Sequence, residues 1–495
     1  MIETRRSLFA TALLLAIAAA APFVSTLRFG LLRYDDEAVL VQRRVQPRVA
    51  RDWLTLLDPR STPWEFLPLR DLATAIGWST FGIPALHALP ILAHVVATLL
   101  VWRFFMMLGL GAFAAFCGAA LFAVHPLHAE AVAWASSLED PLSACFTLAA
   151  ALSLPGSLRG SWPRALPPIL WMLCASLSKY PAIAIVPALL GVLVVREPRD
   201  RWRRGFSIVA SCLVISVLVY LSSRPRLAHL ARPAHSLLAR IALAPAQILV
   251  YLRLGLAPAA LHVEYAPLSA SGIASIAAVL LVILLALAAW RMRRRHAAIP
   301  VLGALFLIAI GPALAPIGSE SISERCAYLA LAGLAGLAGL FVARIVRRTA
   351  GSVAPFLALV FALGWGSHAA AARFRSDVAL WTDAARFEDS PIVASQRVKS
   401  LAPVDPKEAV NVALAKLFEA LVARGRNREA EEVAARLLSV SGCNDRIACV
   451  RAAQFLALVS HQRGDARSER RWLLRARGLS NDPAERARID ALLSR

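Results

Sequence analysis

Long apolar runs separated by short charged segments fill the chain up to residue 371. A helix needs about 20 apolar residues to cross the hydrocarbon layer of a bilayer, and such runs recur from residue 7 onwards. They predict about eleven transmembrane helices, near residues 7–26, 82–106, 111–125, 130–154, 165–179, 181–195, 206–222, 272–291, 298–316, 326–344 and 353–371. We therefore expect an all-α polytopic membrane domain over residues 1–371, in which residues 7–26 are a retained helix rather than a cleaved signal peptide.

The composition supports a membrane protein rather than a soluble one. Of the 495 residues, 58% are hydrophobic and 17% are charged, which is more apolar surface than one soluble core buries. The formal net charge of +22 comes from arginine clusters between the apolar runs and in the tail. Membrane topology places arginine in such positions, so the expected partner is the lipid bilayer and not nucleic acid.

The arginine clusters also predict which side of the membrane each loop occupies. If Arg5 and Arg6 are cytoplasmic, the clusters at residues 196–204, 291–295 and 344–348 fall on the inner side, as the positive-inside rule requires. Two long segments then lie outside, at residues 27–81 and 223–271. Within the second, the apolar stretch 237–256 is interpreted as a helix lying in the membrane interface, because a twelfth span would move residues 291–295 outside.

Beyond residue 371 the apolar runs give way to Ala, Arg and Glu with helical periodicity. We expect a linker over residues 372–405 and a helical domain over residues 406–495, on the outer face because the number of spans is odd. Segments 413–438 and 453–479 align on their apolar positions much as tetratricopeptide repeats do, although their offset exceeds the usual ~34 residues. Cys443 and Cys449 lie in the extra residues, where they either close a small disulfide loop or remain free thiols.

Ionisable residues collect at one predicted face of the membrane domain. Such residues at membrane depth are candidates for function. The topology places the following segments at or near the outer boundary: 34–37 (YDDE), 125–130 (HPLHAE), 139–140 (ED), 178–179 (SK), 262–265 (HVEY) and 323–325 (SER). The inner loops carry no comparable mixture of acids, His and Lys.

Asp35 and Asp36 follow the first predicted helix and are candidate catalytic residues. Group transfer from a phosphate-linked donor to a hydroxyl needs a carboxylate that takes the acceptor's proton, and a second group or a divalent metal that stabilises the leaving phosphate. The alternative is a solvated acidic pair or a helix cap. Sequence does not distinguish which of the two is the base, since neighbouring carboxylates titrate as a coupled pair.

His125, His128 and Glu130 occupy the predicted turn between the third and fourth helices. Together with Asp35 and Asp36, His128 and Glu130 are candidate ligands for a divalent metal, Mg or Mn. Pro126 interrupts the helix that would align the two imidazoles. The alternative is therefore a hydrogen-bonded turn between helices, in which these residues shape a pocket.

Lys179 is the only lysine before residue 399 and lies at the predicted outer end of the fifth helix. Its ammonium is suited to hold a phosphate as a compact charge, or else reaches towards lipid headgroups. Arg325 and Arg224 are further candidates for phosphate binding, although Arg325 and Glu324 have the alternative of pairing with each other.

Several segments occur in an order that resembles one family. The strongest is LFAVHPLHAEAVAW at residues 121–134, and it is accompanied by YDD at 34–36, FLPLR at 66–70, SK at 178–179, the stretch Tyr251–Tyr265 and ERCAY at 324–328. These segments resemble motifs of the transmembrane and tetratricopeptide-repeat O-mannosyltransferases and their bacterial relatives, within the GT-C glycosyltransferases. Tyr180, where the family has Glu, and residues 137–140, which lack the family's arginine, depart from the pattern.

The resemblance implies a GT-C fold and an inverting transfer of a sugar, with mannose favoured, from a polyprenyl-phosphate donor to an acceptor hydroxyl on the outer face. On this enzyme hypothesis Asp35 and Asp36 act at the reaction, and Lys179, Arg325 and Arg224 bind the donor phosphate. The following residues are expected to shape the pocket: His125, His128, Glu130, Glu324 and Tyr328. The repeats would recruit the acceptor.

The Lys-poor, Arg- and Ala-rich composition suggests a bacterial inner membrane with a periplasmic active face, and an acceptor on a protein or a glycolipid. Two other functions stay open. A non-catalytic scaffold would use the repeats to bind a partner and the membrane part as an anchor. A transporter of a lipid-linked sugar would need internal repeats and charged positions on both sides of a central site, and the sequence shows neither.

Overall fold

A computed structural model of the chain describes residues 2–32, 36, 50–59, 66–159, 162–179, 197–227, 236–259, 261–263, 265, 272–293, 296–314, 322–346, 353–385, 406–439 and 446–494. Over these ranges the regular secondary structure consists of helices, without a strand. The predicted all-α class is therefore confirmed. The chain divides into two compact units: Met1–Leu261 with Ala270–Arg375, and His262–Ser269 with Ser376–Arg495.

The described part of the first unit is built from helices. Its α-helices are α1 (Ile2–Ala20), α2 (Ala50–Thr55), α3 (Pro68–Phe81), α4 (Ile83–Met107), α5 (Ala112–Ala123), α6 (Ala129–Ala133), α7 (Glu139–Ser157), α8 (Leu166–Ser178), α9 (Trp202–Leu227), α10 (Leu237–Leu256), α11 (Gly272–Met292), α12 (Ala298–Ile310), α13 (Ala330–Val346) and α14 (Val353–Ala371).

Four helices within the described ranges are long and apolar enough to cross a membrane. They are Arg6–Arg28, Ile83–Met107, Arg199–Ser222 and Val353–Arg375, and the bent pair formed by α5 and the following turns would make a fifth. Helices also occupy the other predicted positions, except residues 181–195, which lie outside the described residues. The count of eleven spans stays a prediction.

The predicted fourth helix, residues 130–154, is wrong at its beginning. The chain after α5 bends by 50°, forms the short helix α6, and starts α7 only at Glu139. Pro126 lacks the N–H that a continuous helix would need, and the His125 side chain accepts the N–H of Leu127 at 3.2 Å. Trp134 then adopts an extended conformation, with φ −82° and ψ 124°. These two breaks in the helix bring Glu130 towards Arg325 and Glu139 towards Arg70.

Close packing of α13 against α5 and α12 organises the centre of this unit. Gly333, Gly336 and Gly339 recur on α13 at intervals of three residues. A Cβ at Gly339 would lie 2.5 Å from the carbonyl oxygen of Ala114, and one at Gly333 would lie 2.3 Å from that of Leu302. Small residues therefore let the helix backbones approach each other, as they do in membrane helix pairs.

The helix over 237–256 in the second predicted outer segment is present as α10. Near its C-terminal end Tyr251 and Leu254 are fully buried, and the carbonyl of Gly255 lies 3.1 Å from Nε2 of His125. This end of α10 therefore packs against the turn that follows α5. Its placement in the membrane interface stays a prediction.

The second unit contains α15 (Asp377–Ala385), α16 (Pro406–Ala423), α17 (Asn427–Ser439), α18 (Arg446–Gln462), α19 (Ala466–Leu479) and α20 (Pro483–Leu493). Gly425 and Gly464 adopt positive φ, 67° and 73°, in the two turns of the successive pairs α16–α17 and α18–α19. The predicted helix pairs are therefore present, while their identity as tetratricopeptide repeats stays a prediction.

Two details of the second unit bear on the sequence predictions. The segment 372–405, expected to be a linker, contains α15, which packs against α16 and belongs to the second unit. Cys449 is disulfide-bonded, which agrees with a disulfide and not with a free thiol at this position. Cys443 lies outside the described residues.

Candidate functional site

A buried ionic cluster joins parts of the chain that are far apart in sequence. Arg70, at the start of α3, donates from Nε and Nη2 to Asp71 Oδ1 at 2.9 and 2.7 Å, and from Nη1 to Glu139 Oε2 at 3.0 Å. The Arg70 side chain is only 2% exposed. Both carboxylates are therefore needed to compensate a charge that is removed from water.

Arg325 extends the cluster from the segment before α13. Its Nη1 lies 3.5 Å from Glu139 Oε1, and its Nε lies 3.6 Å from Glu130 Oε1. The guanidinium also sits 5.0 Å from the centre of the Trp134 ring, within cation–π distance. At 28% exposure, the Arg325 side chain is the most accessible cation of the cluster.

Glu130 is held in place by the segment 323–325. Ser323 donates from its hydroxyl to Glu130 Oε1, and the backbone N–H of Arg325 donates to Oε2, each at 3.0 Å. Tyr251 from α10 fixes the same segment, because its hydroxyl donates to the carbonyl of Ser323 at 3.2 Å. Glu130 therefore positions Arg325 as well as compensating its charge.

Asp140 and Lys179 form the other end of the cluster. Lys179, which follows α8, donates from Nζ to Asp140 Oδ1, while Oδ2 of this buried carboxylate has no hydrogen-bond partner among the described residues. Both side chains line a cavity of about 80 Å³ together with Ser143, Cys326 and Tyr328. The residues that line the cavity therefore include a charged pair, one member of which has a buried oxygen without a partner among the described residues.

Asp36, one of the two predicted catalytic residues, is 1% exposed. The backbone N–H of Leu32 donates to its Oδ2 at 2.7 Å, and the Ser136 hydroxyl donates to its Oδ1. Asp36 therefore ties the end of the first helical segment to the turn before α7. Asp35 lies outside the described residues.

The histidines belong to an aromatic cluster beside the ionic one. The carbonyl of Ala123 can only accept, so His94 Nε2 carries the proton at 3.0 Å from it, and His94 Nδ1 accepts from the Tyr328 hydroxyl at 2.7 Å. His128 is fully buried, with its ring centre 4.5 Å from that of Tyr328 and 4.9 Å from that of His94. His128 and Tyr328 therefore pack against each other in this aromatic cluster, while their predicted pocket-shaping role stays a prediction.

Glu324 does not pair with its neighbour Arg325. Arg373, just after α14, donates from Nη1 and Nη2 to the two carboxylate oxygens of Glu324 at 3.3 and 2.9 Å. Both side chains are buried. Glu324 thereby holds the end of α14, and Arg325 is left to turn towards Glu130 and Glu139.

Three pKa values in this cluster are shifted by burial and by the neighbouring charges. Burial alone would lower the pKa of Arg70, but Asp71 and Glu139 outweigh it and raise the pKa above its usual value. The pKa of Asp71 is also raised, because loss of water exceeds the opposing effect of Arg70. Arg325 behaves like Arg70, since Glu139 and Glu130 overcome burial and raise its pKa.

The predicted metal ligands do not form one set in the described part of the chain. The oxygens of Asp36 and of Glu130 each accept hydrogen bonds from protein groups, and His128 is packed among aromatic rings. No three His, Cys, Asp or Glu side chains among the described residues are arranged to hold a metal ion. Arg224 lies in α9, and its side chain is outside the described part.

Sequence reasoning did not select four residues that complete the site: Arg70, Glu139, Asp140 and Arg373. A signal existed for three of them. Arg70 stands in the FLPLR segment, and Glu139 and Asp140 were placed at the outer boundary. Their importance became apparent only from the pairing of α3 with α7 and of α8 with α7.

Comparisons with known proteins give no further identification. No family model matches the chain, and neither a curated protein nor a solved structure matches it. The fold and the ionic cluster define the structural class of the protein. It is an all-α protein with helices able to cross a membrane and with a buried ionic site.

Proposed function

We propose that this chain is a membrane glycosyltransferase that moves a sugar, with mannose favoured, from a polyprenyl-phosphate donor to an acceptor hydroxyl. The proposal includes the eleven-span topology in a bacterial inner membrane, with the site on the periplasmic face. The second unit, a tetratricopeptide-like domain on that face, would recruit a protein or glycolipid acceptor.

One observation carries the proposal: Lys179 and Arg325 lie in one cluster although 146 residues separate them in the chain. Their side chains are 17% and 28% exposed, whereas Arg70 is 2% exposed. Arg70 is therefore a structural cation, and Lys179 and Arg325 remain available to a ligand. Two cations suit the phosphate that leaves with the polyprenyl group, since a guanidinium and an ammonium both donate charge-assisted hydrogen bonds to it.

The carboxylates supply the other half of the chemistry. As the acceptor oxygen attacks the anomeric carbon, its proton has to pass to a base. Lys179 and Arg325 both contact carboxylates, so the base and the phosphate-binding cations would lie near each other. The described candidate metal ligands do not fit a common ion, and no step is assigned to a metal.

Removal of either cation tests the donor-phosphate role. The purified protein in liposomes is given radiolabelled polyprenyl-phosphate mannose and an extract of protein and lipid acceptors. A charge-assisted hydrogen bond contributes about 1.5–3 kcal/mol, so Lys179→Gln and Arg325→Gln should each raise KM for the donor about 10-fold or more.

Arg201→Gln is the matched control. Arg201 is 29% exposed and pairs with Glu197 at 2.7 Å, but lies on the predicted inner side. Its loss should leave KM unchanged. Transfer that is insensitive to Lys179 and Arg325 would contradict the phosphate role. Absence of transfer from every polyprenyl-phosphate sugar, with a partner still captured by the second unit, would favour the scaffold.

A further inference from the structure

Asp140 differs from the other carboxylates of the cluster in the use of its oxygens. Asp71 and Glu139 bind Arg70, and both oxygens of Glu130 and of Asp36 accept hydrogen bonds. Asp140 gives Oδ1 to Lys179 and keeps Oδ2 without a partner among the described residues, although the residue is only 7% exposed. A free carboxylate oxygen in such a place costs stability unless a ligand uses it.

The cavity beside the cluster points to the same residue. Asp140 lines the cavity of about 80 Å³, so a hydroxyl group that enters this cavity comes close to a carboxylate that can accept its proton.

We propose that Asp140 is the general base of the transfer, with Oδ2 taking the proton of the acceptor hydroxyl. This inference rests on the proposed function. The acceptor O–H bond breaks and the proton goes to Asp140 Oδ2. The freed oxygen electron pair forms the bond to the anomeric carbon, the bond from that carbon to the phosphate oxygen breaks, and its electron pair leaves with the polyprenyl phosphate beside Lys179.

The assignment moves the base away from the predicted aspartate pair. Asp36 has both oxygens engaged by Leu32 and Ser136, so it acts as a positioning residue for the turn before α7. Lys179 pairs with Oδ1 of Asp140, which favours the ionised carboxylate, and leaves Oδ2 to the acceptor. Within the described part of the chain, the following charged and titratable groups surround Asp140: Glu139, Lys179, Arg325, Cys326 and Tyr328. Glu130 from α6 and His94 from α4 bind Arg325 and Tyr328 in turn.

The experiment measures kcat, KM and their pH dependence for wild type and Asp140→Asn in the reconstituted transfer assay. General-base catalysis contributes about 10²- to 10⁴-fold, so kcat should fall by about that factor, with KM for the donor little changed. Wild-type kcat should decline at acid pH as Asp140 is protonated, and this acid limb should be absent from the residual activity of Asp140→Asn. A purely structural role would leave the acid limb in place.

Two variants complete the design. Asp140→Glu keeps a carboxylate and the pair with Lys179, so it should retain an acid limb with a lower kcat. Glu197→Gln is the matched control, because the Glu197 side chain is also paired with a cation and is 5% exposed, against 6% for the Asp140 side chain. It should transfer sugar as wild type does.

The outcomes separate the two proposals. Wild type without transfer overturns the proposed function. Active wild type with unchanged kcat in Asp140→Asn overturns only the role of Asp140, as does loss of the acid limb in Asp35→Asn or Asp36→Asn while Asp140→Asn retains it. If Asp140→Asn does not fold, the wild-type profile decides, because a kcat that is flat over about pH 5–8 leaves no titrating base in this range.

Discussion

Buried charges in this protein are compensated by specific partners drawn from distant parts of the chain. The pair formed by Glu324 and Arg373 shows this most simply, since the two side chains are 1% and 9% exposed and meet through two hydrogen bonds. An ion pair removed from water gains little on balance, whereas one member left alone is costly. Such pairs hold helix ends in place.

The first prediction concerns this pair. Glu324→Gln leaves the Arg373 guanidinium buried without its carboxylate and should cost about 3–5 kcal/mol. Arg373→Met in the same background removes the stranded charge and should recover part of the loss. Thermal unfolding of the detergent-solubilised protein measures both. A double variant that is less stable than Glu324→Gln would show that the pair does not act as a unit.

At the residue scale, the sequence identified many of the polar residues but not their partners. Glu130, Lys179 and Arg325 all stand out as ionisable residues at predicted helix ends. The expected alternative of an Arg325–Glu324 pair is wrong, because Glu324 turns to Arg373. The side chains of two adjacent residues, such as Glu324 and Arg325, point in different directions at the start of a helix. The sequence pattern of a single chain does not indicate which distant helix end lies close to each of them.

At the scale of elements, close packing around α13 depends on glycine. Gly339 lies where a Cβ would come within 2.5 Å of the carbonyl of Ala114 and 2.6 Å of the N atom of Gly118. Both contacts involve backbone, which cannot move aside as a flexible side chain can. The approach of α13 to α5 is therefore sensitive to a single methyl group.

Gly339→Ala should lower the stability of the first unit by about 1–3 kcal/mol, the usual cost of overpacking. Gly156→Ala is the control, because a Cβ at Gly156 would meet nothing within 4 Å. Thermal unfolding in detergent compares the two variants. Equal midpoints would contradict close backbone contact between α13 and α5.

Elements were predicted well where one periodicity ran without interruption. α4, α14 and the helix pairs of the second unit lie close to their expected ranges. The break between α6 and α7 was missed, because Ala129–Trp134 reads as apolar helix and only the pairing of Glu130 and Glu139 with Arg325 shows why the helix stops. The local sequence pattern reflects helix propensity, but it does not show the tertiary contact that overrides this propensity.

At the scale of the whole molecule, exposed apolar side chains point to lipid as the surrounding medium. On α11, Leu280, Leu284 and Leu287 are 55%, 62% and 58% exposed, and on α14 Phe361 is 74% exposed. A soluble monomer rarely presents apolar surface of this extent. The helices able to cross a membrane therefore fit a bilayer. The number of spans and their direction are the properties to be measured.

The last prediction is the direction of the spans. The arginine clusters place residues 196–204 inside, and an odd number of spans then places the second unit outside. In variants that lack the other reactive thiols, Ser439→Cys in the second unit should react with a membrane-impermeant maleimide in intact spheroplasts. Asp200→Cys should react only after the membrane is permeabilised. Both positions are exposed, so access and not burial decides the result. Labelling of Asp200→Cys before permeabilisation would contradict the charge-based topology. If Ser439→Cys failed to react in intact spheroplasts, an even number of spans would lie between the two positions, and the second unit would be in the cytoplasm.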